Sequence, residues 1–157
     1  MSLYTLKTEQ RIPAELDVLW DFISSPTNLK KIAPEYMGFE ITTQDVPTKM
    51  YPGIIISYKV RPFLNLPVTW VTEITHVEDK KYFVDEQRKG PFNMWHHEHR
   101  LEAIPGGVLM TDVLSYIPPM GVLGDIANAV FISRQVDRIF SYRKKRLTEI
   151  FGPWQGI

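Results

Sequence analysis

The chain has 157 residues, 44% hydrophobic and 23% charged, with eighteen basic residues balancing eighteen acidic ones and no cysteine. That length supports one domain with a real core, and the charge balance argues against a nucleic-acid footprint or a membrane-binding surface charge. Disulfides and thiol nucleophiles are excluded, the N-terminus lacks the apolar stretch of a signal peptide, and no apolar run reaches the length of a membrane span. The expectation is a single domain over residues 1–157, soluble and cytoplasmic, without integral membrane association.

In chain order, a weakly alternating first strand runs from Leu3 to about Arg11. Pro13 suits the first turn of a helix, whose apolar face is Leu16, Leu19, Trp20 and Ile23. Ser24-Ser25-Pro26 ends it. Ser25 or Thr27 can cap a second short helix through Leu29 and Ile32, closed by Ala33-Pro34. From Met37 the period shifts to two: Phe39 and Ile41 begin a strand, and Ile54, Ile56, Tyr58 and Val60 share one face of the next. Residues 61–67 form an unusually apolar connection. Val68, Trp70, Thr72 and Ile74 then share a strand face, followed by strands over Tyr82–Arg88, Phe92–Ile104 and Val108–Ile117, separated by Asp79-Lys80, Gly90-Pro91 and Pro105-Gly106-Gly107.

Beyond Pro118-Pro119 the pattern is helical from about Val122 to Phe151, with Leu123, Ile126, Ala127, Val130, Phe131, Val136, Ile139, Phe140, Leu147 and Ile150 among its apolar positions. Gly152-Pro153 stops it. Such a helix spans roughly 40–45 Å and needs an extended partner for its stripe. Ile126, Val130, Ile139, Phe140 and Leu147 are expected to be buried. The fold class is α+β: a helix-grip fold, with a curved antiparallel sheet of about seven strands around the long C-terminal helix and two short helices between strands 1 and 2. A cavity between sheet and helix is expected.

The run Phe83-Val84-Asp85-Glu86-Gln87, Gly90-Pro91-Phe92 and Trp95-His96-His97-Glu98-His99 resembles the polyketide cyclase/dehydrase branch of the START-like (SRPBCC) superfamily. Asn28-Leu29, Ile32-Ala33-Pro34, Trp70-Val71-Thr72-Glu73-Ile74, Asp112 to Tyr116, Pro118 and Ile139-Phe140-Ser141-Tyr142-Arg143 match as well. The resemblance covers nearly the whole chain and is to small bacterial stand-alone members. It implies a deep pocket for an apolar or aromatic small molecule. It does not imply a reaction, since the superfamily includes cyclases, dehydratases and lipid carriers.

Alternation places Trp95, His97, His99 and Leu101 on one face of their strand, and His96, Glu98 and Arg100 on the other. Burying Trp95 and Leu101 is favourable and burying Glu98 and Arg100 is costly, so the histidines are expected to face the cavity. Asp85 and Gln87 on the preceding strand, and Asp112 and Tyr116 on the following one, join them if the registers agree. Three readings compete for this patch. It is a set of structural hydrogen-bonded pairs, or it recognises a ligand's polar group, or His97, His99, Asp85 and Asp112 perform general acid/base catalysis with Tyr116 or Arg143 steadying an oxyanion. Trp70, Phe83, Trp95, Tyr58 and Phe131, with Gln87, Tyr116 and Arg143, complete the candidate ligand-binding set. An H-x-H pair on a strand is a weak metal signal, so no metal and no cofactor are called for. The leading reading is binding or carriage of an apolar ligand. A cofactor-free cyclase or dehydratase is the alternative, and the third is an accessory domain meeting a protein partner or a second copy through the 62–67 loop.

Overall fold

A computed structural model describes residues 1–156. Seven strands form one antiparallel sheet in the order β1-β7-β6-β5-β4-β3-β2. They are β1 (Tyr4–Ile12), β2 (Glu40–Ile41), β3 (Ile55–Val60), β4 (Val68–Glu78), β5 (Tyr82–Lys89), β6 (Met94–Ile104) and β7 (Gly107–Ile117). From β3 to β7 each strand pairs with the next, because each connection is a short turn that can only return the chain antiparallel. The strand from Met37 shrinks to two residues, since Glu35–Met37 forms a 3-10 turn ended by Gly38 at φ 52°.

Between β1 and β2 lie α1 (Leu16–Ile23) and α2 (Leu29–Ile32), joined through a 3-10 turn at Pro26–Asn28. Leu19, Trp20 and Ile23 are buried, as their spacing predicts. Pro13 precedes α1 rather than opening it. Ser25 and Thr27 bond to each other through their hydroxyls, at 3.2 Å, and neither caps a helix.

The C-terminal rod comprises α3 (Gly121–Ala127), a π-helical turn (Asn128–Ile132) and α4 (Ser133–Phe151). It lies against the concave face of the sheet. Phe140 and Leu147 are buried as expected and Ile139 is half-buried, but Ile126 and Val130 are 59% and 64% exposed. Leu123 and Phe131 also face outward. The buried positions of this part are Gly124, Asn128, Ile132, Val136 and Phe140, every fourth residue. In a straight α-helix that spacing drifts by roughly 40° per step. The wider π turn absorbs part of the drift and keeps one face on the sheet. The face it selects is the one carrying Gly124 and Asn128, not the apolar stripe.

Candidate functional site

The concave surface and the rod enclose a cavity of about 150 Å³. Its walls include Ile56, Tyr58, Val60, Trp70, Thr72, Ile74, Phe83 and Trp95 from the sheet, with Met50 from the segment before β3. Leu29, Ile32, Ala33, Met37 and Phe39 close it from the α2 side, and Ile139 and Arg143 from α4. Of these, Leu29, Ala33, Phe39 and Ile139 are partly exposed and mark its mouth. Strand alternation explains the sheet wall: Ile56, Tyr58 and Val60 point inward together, as do Trp70, Thr72 and Ile74. The α2 wall and Ile139 have no comparable signal, because their placement depends on how the helices dock.

One end of this apolar space is polar. Asp85 sits opposite His97 across β5 and β6, and His99 opposite Asp112 across β6 and β7. The hydrogen bonds run on the diagonals: His97 Nε2 is 2.9 Å from Asp112 Oδ1, and His99 Nε2 is 2.6 Å from Asp85 Oδ2. Arg143 reaches down from α4, its Nη2 3.0 Å from His99 Nδ1 and 3.6 Å from Asp112. An arginine can only donate, so His99 Nδ1 accepts and its proton lies on Nε2, pointing at Asp85. His97 carries its proton on Nε2, directed at Asp112. Its Nδ1 then presents a lone pair to Asp85 Oδ2, 3.6 Å away. The His99 ring is stacked on Phe83, with centroids 4.1 Å apart.

Burial alone would raise the Asp112 pKa. The guanidinium of Arg143 and the His97 hydrogen bond outweigh it and hold the carboxyl well below its ordinary value. Asp85 is likewise held below its ordinary value against burial, chiefly by the His99 hydrogen bond, with the Arg143 charge adding. Burial and the proximity of His99 lower the His97 pKa despite both carboxylates, so His97 is neutral near pH 7. The Tyr58 hydroxyl donates to Thr72 Oγ1 at 2.7 Å, and burial pushes its own ionisation upward, with the Asp85 charge adding to the shift. The arrangement can accept a proton at His97 Nδ1, take a hydroxyl from a ligand, or hold a cation.

Of the sequence-derived candidates, His97, His99, Asp85, Trp70, Phe83, Trp95, Tyr58 and Arg143 line the cavity. His96, Glu98 and Arg100 lie on the opposite face, more exposed than His97 and His99. Asp112 is buried behind both histidines rather than in the wall. Three further candidates do not reach the cavity. Gln87, at the end of β5, clamps the following turn: its Nε2 donates to the Phe92 carbonyl at 2.6 Å, and the Phe92 N–H donates to its Oε1 at 3.2 Å. Tyr116 is diverted to the rod, where its hydroxyl donates to Asn128 Oδ1. Phe131 sits outside, its ring 6.1 Å from Phe63 of the apolar loop.

That loop is divided in role. Phe63 packs against Phe92 and Phe131, while Leu64 and Leu66 are exposed. Leu64 and Asn65 both take positive φ, 51° and 56°, so the turn presents its leucines rather than folding them under. No helix among the described residues is long and apolar enough to cross a membrane.

Comparison with solved structures shows the same architecture at low identity. A protein from Chromobacterium violaceum, CV1439, aligns with TM-score 0.71 at 14% identity, covering 96% of this chain and 99% of that one. TTHA0849 from Thermus thermophilus gives 0.66 at 12% over 94% and 99%. Ginseng major latex-like protein 151 from Panax ginseng gives 0.66 at 9% over 96% and 99%. No curated protein matches the sequence. The model of the family described as polyketide cyclase / dehydrase and lipid transport matches residues 12–141, from the end of β1 into α4, and the chain belongs to that family, within the START-like (SRPBCC) superfamily.

Proposed function

We propose that this chain binds one apolar or aromatic small molecule in the cavity between the sheet and α4. The carrying observation is the cavity itself, walled by aromatic and aliphatic side chains around a single polar end. Its volume of about 150 Å³ holds one ring; a larger ligand requires the α2 wall to move. Calorimetric titration with phenol and indole, together with mass spectrometry of molecules that co-purify, tests this. One saturable site is expected, and Ala33→Trp, which plugs the mouth, abolishes it without unfolding the chain. Equal binding to the plugged variant overturns the reading.

A second reading has its own observation. His97 is neutral, backed by the ionised Asp112, and turns its free Nδ1 toward Asp85 at the polar end of the cavity. That is the arrangement of a general base for enolisation, as a cofactor-free cyclase or dehydratase requires. Deuterium exchange alpha to the carbonyl of a bound ketone is the measurement. For this reading His97→Gln lowers the exchange rate by about 10²–10⁴-fold while the ketone still binds. An unchanged rate excludes the base. For the third reading, a protein partner at the 62–67 loop, the support is the exposure of Leu64 and Leu66 in a loop whose Phe63 packs on Phe131 of the π turn.

A further inference from the structure

His97 Nδ1 and Asp85 Oδ2 are two acceptors facing each other across 3.6 Å, with no hydrogen between them in the tautomers that Arg143 and Asp112 impose. Beside them, His99 Nε2 lies 2.6 Å from the same Asp85 oxygen. The three donor atoms all fall within 4.8 Å of one another. From this convergence we infer that Asp85, His97 and His99 form a binding site for a zinc-class divalent metal ion, with its open coordination positions toward the cavity.

The geometry requires little movement. A tetrahedral ion bound at about 2.0–2.2 Å separates its ligands by roughly 3.3 Å. The His97–Asp85 distance already suits this, and the His99–Asp85 distance needs to open by roughly 0.7 Å as the proton on Nε2 is displaced. The outer shell is in place as well. Both nitrogens turned away from Asp85 converge on one oxygen, Asp112 Oδ1, with His97 Nε2 at 2.9 Å and His99 Nδ1 at 3.1 Å. A carboxylate behind each ligating imidazole fixes its tautomer and raises its basicity. Loss of the Nε2 proton moves the His99 hydrogen to Nδ1, facing Asp112, and Arg143 then pairs with Asp112 alone.

Charge favours a cation too. Two carboxylates, Asp85 and Asp112, face one guanidinium, so the fixed charges of the cluster carry one negative in excess. A divalent ion reverses that excess, and a metal-bound hydroxide or a ligand oxyanion restores balance at the polar end of the cavity. The imidazole and carboxylate donors select Zn²⁺, Co²⁺ or Ni²⁺ over Mg²⁺ and Ca²⁺. With metal bound, His97 Nδ1 is no longer a free base and the cavity acts on a ligand by polarising its oxygen. The inference rests on the cavity proposed above only for the open positions. It is tested without organic ligand, so its failure leaves ligand binding standing.

The experiment uses the full chain without a histidine tag, stripped with chelator. Zn²⁺ is titrated by calorimetry and Co²⁺ by its visible d–d absorption. One equivalent is expected to bind saturably, with the intense bands of four- or five-coordinate cobalt. His99→Ala and Asp85→Asn abolish those bands, and Asp112→Asn weakens affinity by about 10–100-fold. His76→Ala/His96→Ala, which removes the other two histidines, leaves binding unchanged. Should a ligand variant fail to fold, the unmodified chain decides the question: one equivalent of Zn²⁺ is expected to shift the imidazole resonances of His97 and His99. No saturable binding, bands lost with the His76/His96 variant, or unshifted His97 and His99 resonances overturn the site.

Discussion

The Tyr116 hydroxyl donates to Asn128 Oδ1 over 2.8 Å, joining the end of β7 to the π turn of the rod. Asn128 is buried at 3% exposure, in a face that a purely apolar reading of the helix would assign to solvent. A buried polar side chain must be paired, and its only economical position here is over Tyr116. The bond therefore fixes which face of the rod meets the sheet. Tyr116→Phe leaves the Asn128 oxygen without this donor and is expected to cost about 1–3 kcal/mol, read as a lower denaturant midpoint at unchanged slope.

The same seating predicts a contrast between two apolar residues of one rod. Phe140 is 6% exposed and its ring lies 5.2 Å from that of His97, so Phe140→Ala opens a void against the polar cluster and costs about 3–5 kcal/mol. Val130 is 64% exposed, so Val130→Ser stays within about 0.5 kcal/mol of the parent. Equal losses for the two would contradict the face assignment.

The strands are legible in the sequence because a period of two survives any twist of the sheet. Trp95 could not turn inward without bringing His97 and His99 with it, and both lie in the cavity wall. The rod misleads for a physical reason. Leu123, Ile126 and Val130 make a regular apolar stripe, but the helical phase ahead of and into the π turn is set by the packing at Gly124 and Asn128, which carry no hydrophobic signal. Gln87 departs from its expected place for a related reason. It stands at a shift in register between β4 and β5, where Thr72 pairs with Gln87 but Val71 with Lys89, and its amide serves the turn instead of the cavity. Met37, Met50 and Phe39 escape a sequence reading of the cavity because irregular segments have no period to read.

Gly124 supplies a test in which two effects oppose. Alanine is favoured over glycine within a helix by about 1 kcal/mol. A Cβ at Gly124, however, would overlap the Pro119 carbonyl oxygen, a backbone atom with little freedom to retreat. The clash wins: Gly124→Ala is expected to destabilise the chain or to lift the start of α3 from Pro118-Pro119. The change appears as a lower melting temperature and faster amide exchange over 120–128. A stabilised variant would show that this end of the rod is not seated as described.

Arg143 is the one cation in contact with Asp112 among the described residues, and its side chain is only 11% exposed. Replacing it with methionine keeps much of the packing volume but leaves the buried Asp112 and the half-buried Asp85 side by side without a guanidinium. Breaking a buried charge network from one side costs about 3–5 kcal/mol, more than the recovered side-chain packing returns. Arg143→Lys separates charge from geometry. The guanidinium Nε is buried without an acceptor, so losing it sacrifices no hydrogen bond. The lysine ammonium retains the charge, yet its shorter stem does not carry a nitrogen to the position of Nη2, the one atom that meets both His99 Nδ1 and Asp112. The expected order of stability is parent, lysine, methionine. Urea titrations at pH 7 measure it, and a methionine variant as stable as the parent would mean that the two carboxylates do not depend on Arg143 for compensation.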